Sequence, residues 1–134
     1  MIEITIFVDT NVFVSYYNSR DVNHEKARKI IADTISNKYG KAFTSDYVFD
    51  EAVTVCLIRT KSLEKARELG DYLMKSEISL LKVTETVFRV AWQLFSSRLS
   101  FTDCTNIAFL KTYGIDYIAT LDKEFKRHAK VVDS

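Results

Sequence analysis

The sequence predicts a three-layer α/β/α sandwich with a central, mostly parallel sheet, and two observations carry this prediction. Short runs rich in Ile, Val, Thr and Phe alternate along the chain with longer segments whose apolar residues recur at helical spacing. Strands that alternate with helices pair in parallel, because each helix returns the chain to the same end of the sheet. The 134 residues include no proline and three glycines, so connections are short and residues 1–134 are predicted to form a single domain.

The predicted strands are apolar runs that stop at polar residues. The first covers residues 1–8 and ends at Asp9, Thr10 and Asn11. The others cover residues 41–44, 78–83 and 117–120, and residues 131–132 are predicted as a last edge strand.

The predicted helices begin at residues that cap helices well. A short apolar helix over residues 11–17 follows the first strand. The later helices have Asn23, Ser45, Ser62, Thr84 and Thr102 as predicted N-caps, because such side chains accept hydrogen bonds from free backbone N–H groups. These helices extend to about residues 37, 60, 76, 95 and 113, where Gly114 is the C-terminal stop. Phe88, Trp92 and Phe95 are predicted to face the core.

Composition excludes several classes of protein. The apolar runs fall far short of the ~18 residues that a membrane span needs, so no membrane association is expected. The start of the chain lacks the basic segment of a signal peptide, and the only cysteines are Cys56 and Cys104, so a cytoplasmic protein with reduced thiols is expected. The net charge of +1 neither indicates nor excludes a nucleic-acid partner.

Acidic residues follow several of the predicted strands. Asp9 follows the first strand, Glu51 the second by a few residues, Asp103 opens a late helix and Asp122 follows the fourth strand. The carboxyl ends of parallel strands lie at one edge of a sheet, where ligands bind, so the four acids are predicted to converge on one pocket. Oxygen ligands without His or Cys suit Mg²⁺ or Mn²⁺. For Asp9 and Thr10 the alternative is a structural role as helix caps.

Two other functions for such a sheet fit poorly. A receiver module of a phosphorelay needs adjacent acids after the first strand, and Asp9 is followed by Thr10. A phosphatase with an aspartyl nucleophile needs a second acid two residues later, where this chain has Asn11.

Four blocks of sequence together resemble the PIN-domain nucleases, and most closely the toxin ribonucleases of VapBC-type toxin–antitoxin pairs. They are residues 8–11 (VDTN), 50–52 (DEA), 100–105 (SFTDCT) and 119–122 (ATLD). The resemblance implies a metal-dependent endoribonuclease with Mg²⁺ or Mn²⁺ as cofactor and Asp9, Glu51, Asp103 and Asp122 as catalytic residues and metal ligands. The alternative is a PIN-fold module that binds RNA or protein without catalysis.

The same resemblance implies polar neighbours around the acids and partners for the chain. Supporting roles fall on Thr10, Asn11, Asn106 and Thr120; Asn106 departs from a fully acidic set because it is neutral, which would weaken metal binding. RNA is the implied substrate, an antitoxin protein the implied partner and a homodimer the implied assembly, with its interface on the helices of residues 23–76.

Several cations are candidates for RNA contact. Lys123 and Arg127 belong to a basic stretch that follows Asp122 and could meet RNA phosphates, and for either residue alone a solvated helical turn is the favoured explanation. Arg20, Arg59 and Arg98 are further candidates for the rim of the site.

Overall fold

The computed structural model describes residues 4–96 and 98–132, and these form one parallel sheet covered by helices. The strands are β1 (Thr5–Val8), β2 (Lys41–Ser45), β3 (Ser79–Leu81), β4 (Tyr117–Ala119) and β5 (Lys130–Val132). All neighbouring strands run parallel, in the order β3-β2-β1-β4-β5. Residues 1–3 of the first predicted strand lie outside the described residues. Within the described part, the strand begins at Thr5 and does not include Ile4.

Helices connect the strands and form the two outer layers. They are α1 (Thr10–Tyr16), α2 (His24–Ile35), α3 (Asp46–Thr60), α4 (Leu63–Lys75), α5 (Glu85–Leu94) and α6 (Phe101–Tyr113), and a 3₁₀ helix (Lys123–Arg127) precedes β5. Because crossovers between parallel strands are right-handed, α1 to α4 cover one face of the sheet, and α5 and α6 cover the other. The predicted three-layer sandwich is confirmed.

The strand order creates a switch point beside β1. From β1 the chain moves outward through β2 to β3, and then returns to place β4 on the other side of β1. At such a point the connections leave the sheet in opposite directions, which opens a crevice at the carboxyl ends of the two strands. Asp9 lies at the end of β1 and Thr120 at the end of β4, so both lie in this crevice.

Most predicted helix caps are confirmed. The side chains of Ser45, Ser62 and Thr84 each accept a hydrogen bond from the backbone N–H three residues later. Asn23 precedes α2 as predicted, but its side chain makes no capping bond. Gly114 ends α6 in the left-handed conformation that glycine adopts without strain.

The prediction of Thr102 as the cap of α6 is wrong. Ser100 is the N-cap: its Oγ accepts from the N–H of Asp103 at 3.1 Å, and Oδ2 of Asp103 accepts from the N–H of Ser100 at 3.2 Å. This reciprocal capping box satisfies two free donors at once, so the helix begins at Phe101, two residues earlier than the prediction implies.

The core holds α6 directly against the central strand. Phe7 of β1 and Phe109 of α6 are fully buried and stack with their ring centroids 5.5 Å apart. Thr44 of β2 also donates a hydrogen bond to the carbonyl of Val8 at 2.9 Å. The stacked rings set the position of α6 relative to β1, and the Thr44 hydrogen bond joins β2 to the end of β1.

The prediction that Phe88, Trp92 and Phe95 face the core is wrong. Their side chains are 45%, 64% and 48% exposed, whereas Val87 and Ala91 are fully buried. The buried pair and the aromatic residues form two stripes on α5 that are offset by one residue, or about 100° around the helix. Helical periodicity is the same for both stripes, so the pattern alone does not show which of them is buried. Among the described residues, no helix has both the length and the hydropathy of a membrane span.

Candidate active site

The four predicted acids line one cavity at the switch point. Asp9 links β1 to α1, Glu51 lies in the second turn of α3, Asp103 lies in the first turn of α6, and Asp122 precedes the 3₁₀ helix. The cavity measures about 250 Å³. Its lining also includes Thr10, Asn11, Val14, Val55 and Arg59.

Asp9 is the most buried of these acids, with only 3% of its surface exposed. Its Oδ1 accepts hydrogen bonds from the backbone N–H of Thr10 at 2.7 Å and from Nδ2 of Asn106 at 2.8 Å. Its Oδ2 accepts a hydrogen bond from the Thr120 hydroxyl at 2.8 Å. Asp9 is therefore both the N-cap of α1, as the structural alternative predicted, and a member of the acidic pocket.

Thr120 connects the acids through one hydroxyl group. Besides donating to Asp9, its Oγ1 accepts hydrogen bonds from Nδ2 of Asn11 at 3.1 Å and from the backbone N–H of Asp122 at 3.0 Å. Asn11 completes the network, because its Oδ1 accepts from the N–H of Leu121 at 3.0 Å. This network joins the start of α1 to the turn after β4, and it holds Asp9 and Asp122 at one side of the cavity.

Burial and the neighbouring carboxylates disfavour the ionisation of Asp9 and Asp103. Burial, together with the charges of Asp103 and Glu51, raises the pKa of Asp9 from 3.8 to about 7, although hydrogen bonds from Thr120 and Thr10 oppose the shift. Burial also raises the pKa of Asp103, and the charges of Glu51 and Asp122 add to this effect against the hydrogen bonds from Ser100. The four acids therefore interact electrostatically as one cluster.

The residues of the cavity have the right chemistry for a hard divalent cation, but their side chains are not spaced as a ready-made metal site. Carboxylate oxygens without His or Cys are the donors that Mg²⁺ and Mn²⁺ prefer. Within residues 4–96 and 98–132, however, no three His, Cys, Asp or Glu side chains lie close enough together to form a ready-made metal site. Two buried oxygens, Thr10 Oγ1 and Asn106 Oδ1, have no hydrogen-bond partner in the described part of the chain. Such unpartnered groups are uncommon in proteins and are compatible with a ligand or water in the cavity.

The two candidates for RNA contact do not line the acidic cavity. Arg127 lines a separate cavity with Arg98 and His128, and its Nε lies 3.8 Å from a carboxylate oxygen of Glu124. Lys123 is exposed at the start of the 3₁₀ helix and does not line the acidic cavity. Of the rim candidates, Arg59 is the one that lines the acidic cavity.

The fold and the site have counterparts among known proteins. Residues 6–131 match the PIN domain family. The chain belongs to the PIN domain family. A VapC ribonuclease of Archaeoglobus fulgidus is 23% identical over 146 residues, which cover 93% of this chain and 92% of that protein.

Solved structures of VapC and VapBC proteins share the fold. Mycobacterium tuberculosis VapC20, described as a toxin that cleaves the sarcin–ricin loop, aligns with a TM-score of 0.83 at 24% identity and covers 96% of this chain and 98% of its own. VapBC2 of Rickettsia felis, solved with a DNA fragment of its promoter, aligns with a TM-score of 0.68 at 14% identity and covers 96% and 98% of the two chains. The predicted resemblance to VapC-like PIN domains is confirmed.

Sequence reasoning missed one residue that shapes the site. Ser100 holds Asp103 in the capping box, and the signal was available: Ser100 and Asp103 have the spacing of a capping box, an N-cap hydroxyl followed three residues later by an acceptor side chain. Asp103 therefore has a structural role as well as a place in the cavity.

Proposed function

We propose that this PIN domain is a metal-dependent endoribonuclease that hydrolyses RNA phosphodiester bonds, and that it is the toxin of a toxin–antitoxin pair. The observation that carries the proposal is the convergence of Asp9, Glu51, Asp103 and Asp122 on one cavity at the switch point. Membership of the PIN family and the likeness to a VapC ribonuclease support RNA as the substrate class.

The cofactor in this proposal is Mg²⁺ or Mn²⁺, held by Asp9, Glu51, Asp103 and Asp122. When bound, the ion supplies Lewis-acid activation of water and neutralises charge on the phosphate. It also requires an ionised set of ligands, so the proton that Asp9 retains near neutral pH has to leave. The carboxylates would move closer together once a cation removes their repulsion.

The protein's own groups orient the acids. Thr120 and Asn106 hold the two oxygens of Asp9, so the carboxylate cannot rotate out of the cavity without breaking both bonds. Thr10 contributes a backbone donor to the same carboxylate and an unpartnered hydroxyl in the cavity. Asn11 keeps the turn that bears Asp122 against α1. These supporting residues pre-organise ligands that would otherwise separate.

The first prediction is that cleavage requires both the ion and Asp9. We expect the wild type to cleave at least one member of a panel of structured and single-stranded RNAs in Mn²⁺ or Mg²⁺, and to lose this activity in EDTA. Asp9→Asn should reduce cleavage by at least a hundredfold, because it removes a charged ligand from a pre-organised site. Gel analysis of the products measures both effects.

Asp50→Asn is the matched control, since Asp50 neighbours Glu51 on α3 but is exposed and does not line the cavity. It should cleave like the wild type. A PIN module that only binds RNA or protein would cleave nothing in any variant, and its affinity for RNA would not respond to EDTA. Equal cleavage by Asp9→Asn and the wild type would contradict the proposed site.

Partners and compartment complete the proposal. Toxin–antitoxin complexes among the structural relatives, such as one from Klebsiella pneumoniae, support an antitoxin protein as the partner of this chain. The alignment covers 95% of this chain and 95% of that relative, with a TM-score of 0.66 and 14% identity. We further propose a homodimer and a cytoplasmic location, the latter because Cys56 and Cys104 are both free thiols.

A further inference from the structure

Arg59 is the one basic residue in the lining of the acidic cavity, as far as the described residues extend. It lies in the last turn of α3, on the same stripe as Glu51 and Val55, at intervals of four residues. Residues four apart share one face of a helix, so α3 presents an acid, an apolar residue and a guanidinium in a row along the cavity.

The arginine is not engaged by the acids near it. Among the described residues, no carboxylate lies within ion-pair distance of its guanidinium, and the side chain is exposed. A base in the last turn of a helix is favourable to the helix dipole wherever its side chain points. That effect accounts for a base at the end of α3, but it does not account for a base along the wall of a cavity that four carboxylates make strongly negative.

The distance along α3 decides what Arg59 can reach. Eight residues separate it from Glu51, which is roughly 12 Å between their Cα atoms at the helical rise. Long helical side chains lean toward the N-terminal end of their helix, which here is the acidic end of the cavity. The guanidinium therefore lies along the cavity wall on the side of the carboxylates toward the end of α3, without an ion pair to them among the described residues.

We propose that Arg59 binds an RNA phosphate adjacent to the one that is cleaved. This inference rests on the proposed function for its choice of RNA. The acidic cavity repels every phosphate that a metal ion does not neutralise, and a guanidinium offsets that repulsion at the next phosphate with two parallel hydrogen bonds. Arg59 is in this sense a substrate-binding residue that positions the strand, and it does not touch the reacting atoms.

The test separates binding from chemistry. Arg59→Ala should raise KM roughly tenfold and leave kcat within about twofold, because the interaction is equal in the ground state and the transition state. Arg59→Lys should recover part of the loss, since lysine keeps the charge but not the bidentate geometry. Arg67→Ala is the matched control: Arg67 is exposed on the neighbouring helix α4 and lines a different groove, so its KM should be unchanged.

A binding measurement makes the inference independent of turnover. Fluorescence anisotropy in EDTA with a labelled single-stranded RNA should show weaker binding for Arg59→Ala, with a salt slope reduced by about 0.7. If no RNA is cleaved but Arg59→Ala still weakens binding selectively, the nuclease proposal fails and the phosphate contact stands. If the wild type cleaves RNA and Arg59→Ala has the affinity and KM of the wild type, the phosphate contact is overturned and the nuclease stands. A fall in kcat with an unchanged KM would also overturn it.

Discussion

At the scale of single residues, the Thr120 hydroxyl joins three parts of the acidic site by hydrogen bonds. It donates to Asp9, and it accepts from Asn11 and from the backbone of Asp122. Thr120 is fully buried and Asp9 is 3% exposed, so the carboxylate oxygen that accepts this hydrogen bond has little bulk water to replace the hydroxyl. Buried polar groups left without a partner cost more than the average hydrogen bond contributes.

Thr120→Val is therefore expected to destabilise the protein by about 1–3 kcal/mol, the usual cost of leaving buried polar groups unpaired. It should also raise the pKa of Asp9 further, because the Thr120 hydrogen bond is what lowers it most. Urea unfolding at pH 7.5 measures the first effect, and the pH dependence of stability measures the second. Valine has nearly the same shape as threonine, so packing is preserved.

Thr34→Val is the control for this substitution. Thr34 is also buried, but its hydroxyl donates to the carbonyl of Ile30 in its own helix. After substitution by valine, that carbonyl still accepts the backbone hydrogen bond of the helix. We expect a loss well below that of Thr120→Val. Equal losses in the two variants would mean that the network around Asp9 contributes nothing special to stability.

At the scale of secondary-structure elements, α5 has an exposed aromatic face. Trp92 and Phe95 stack with centroids 5.7 Å apart, and Phe101 at the start of α6 meets Phe88 edge-on at 5.2 Å. Exposed apolar clusters of this kind are uncommon on monomers and typically mark interfaces. The interface of the proposed homodimer was predicted on the helices of residues 23–76, where Ile58 and Met74 are also exposed.

Charge favours α5 as the surface for a second copy. Glu85 and Arg89 form an exposed pair with an Nη2–Oε1 distance of 2.8 Å, beside Phe88 on the same helix. An isologous interface places the same patch on both copies, so a second copy that meets α5 brings both an acid and a base to this pair. The patch therefore combines an apolar surface with charges of both signs.

We therefore expect Trp92→Arg to convert the proposed homodimer to a monomer, because it places a charge in the exposed aromatic face of α5. Ile58→Arg, at a side chain of similar exposure on α3, should leave the dimer intact. Light scattering after size-exclusion chromatography measures both masses. Dissociation by Ile58→Arg alone would place the interface on α3 and α4, and a monomeric wild type would refute the homodimer itself.

At the scale of the whole molecule, the acidic cavity couples stability to pH. The pKa of Asp9 is 3.8 before folding and about 7 in the folded protein, so between these values the folded state holds a proton that the unfolded state has released. The free energy of unfolding therefore falls as pH rises from about 4 to about 7, and this contribution is constant above and below that window. An acid in a salt bridge has a lowered pKa and makes stability rise with pH, so the effect of Asp9 on the pH dependence of stability has the opposite sign.

The corresponding prediction compares the wild type with Asp9→Asn in EDTA. The stability of the variant relative to the wild type should rise by up to a few kcal/mol from pH 4.5 to pH 7.5, because asparagine has no proton to retain or lose. Urea titrations at four pH values measure this difference. Changes in hydrogen bonding at residue 9 do not depend on pH, so the slope isolates the titration, and parallel curves would show that Asp9 titrates normally.

Saturating Mn²⁺ should reverse the trend in the wild type. An ion that binds only the folded state raises its stability by mass action, and more so at pH 7.5 than at pH 5.5, since binding requires ionised carboxylates. The melting temperature in Mn²⁺ and in EDTA at the two pH values measures this effect. A shift that is the same in Asp9→Asn would mean that the ion binds elsewhere.

The sequence by itself determined the elements and the position of each acid along them. Each strand, each helix, the caps Ser45, Ser62 and Thr84, and the stop at Gly114 are encoded by residues that are near one another in sequence. Parallel pairing then follows from the alternation, and it brings acids that end or follow strands to one edge. The cavity shared by the four acids was predictable for this reason.

Only the tertiary structure decided which side chains meet and how they ionise. Asn106 reaches Asp9 across 97 residues of sequence, and Thr120 across 111. The raised pKa of Asp9 comes first from burial by elements distant in the chain, which no local pattern records. The exposure of Trp92 has the same origin. Periodicity finds a stripe on a helix, but which stripe is buried depends on the shape of the neighbour that packs against it.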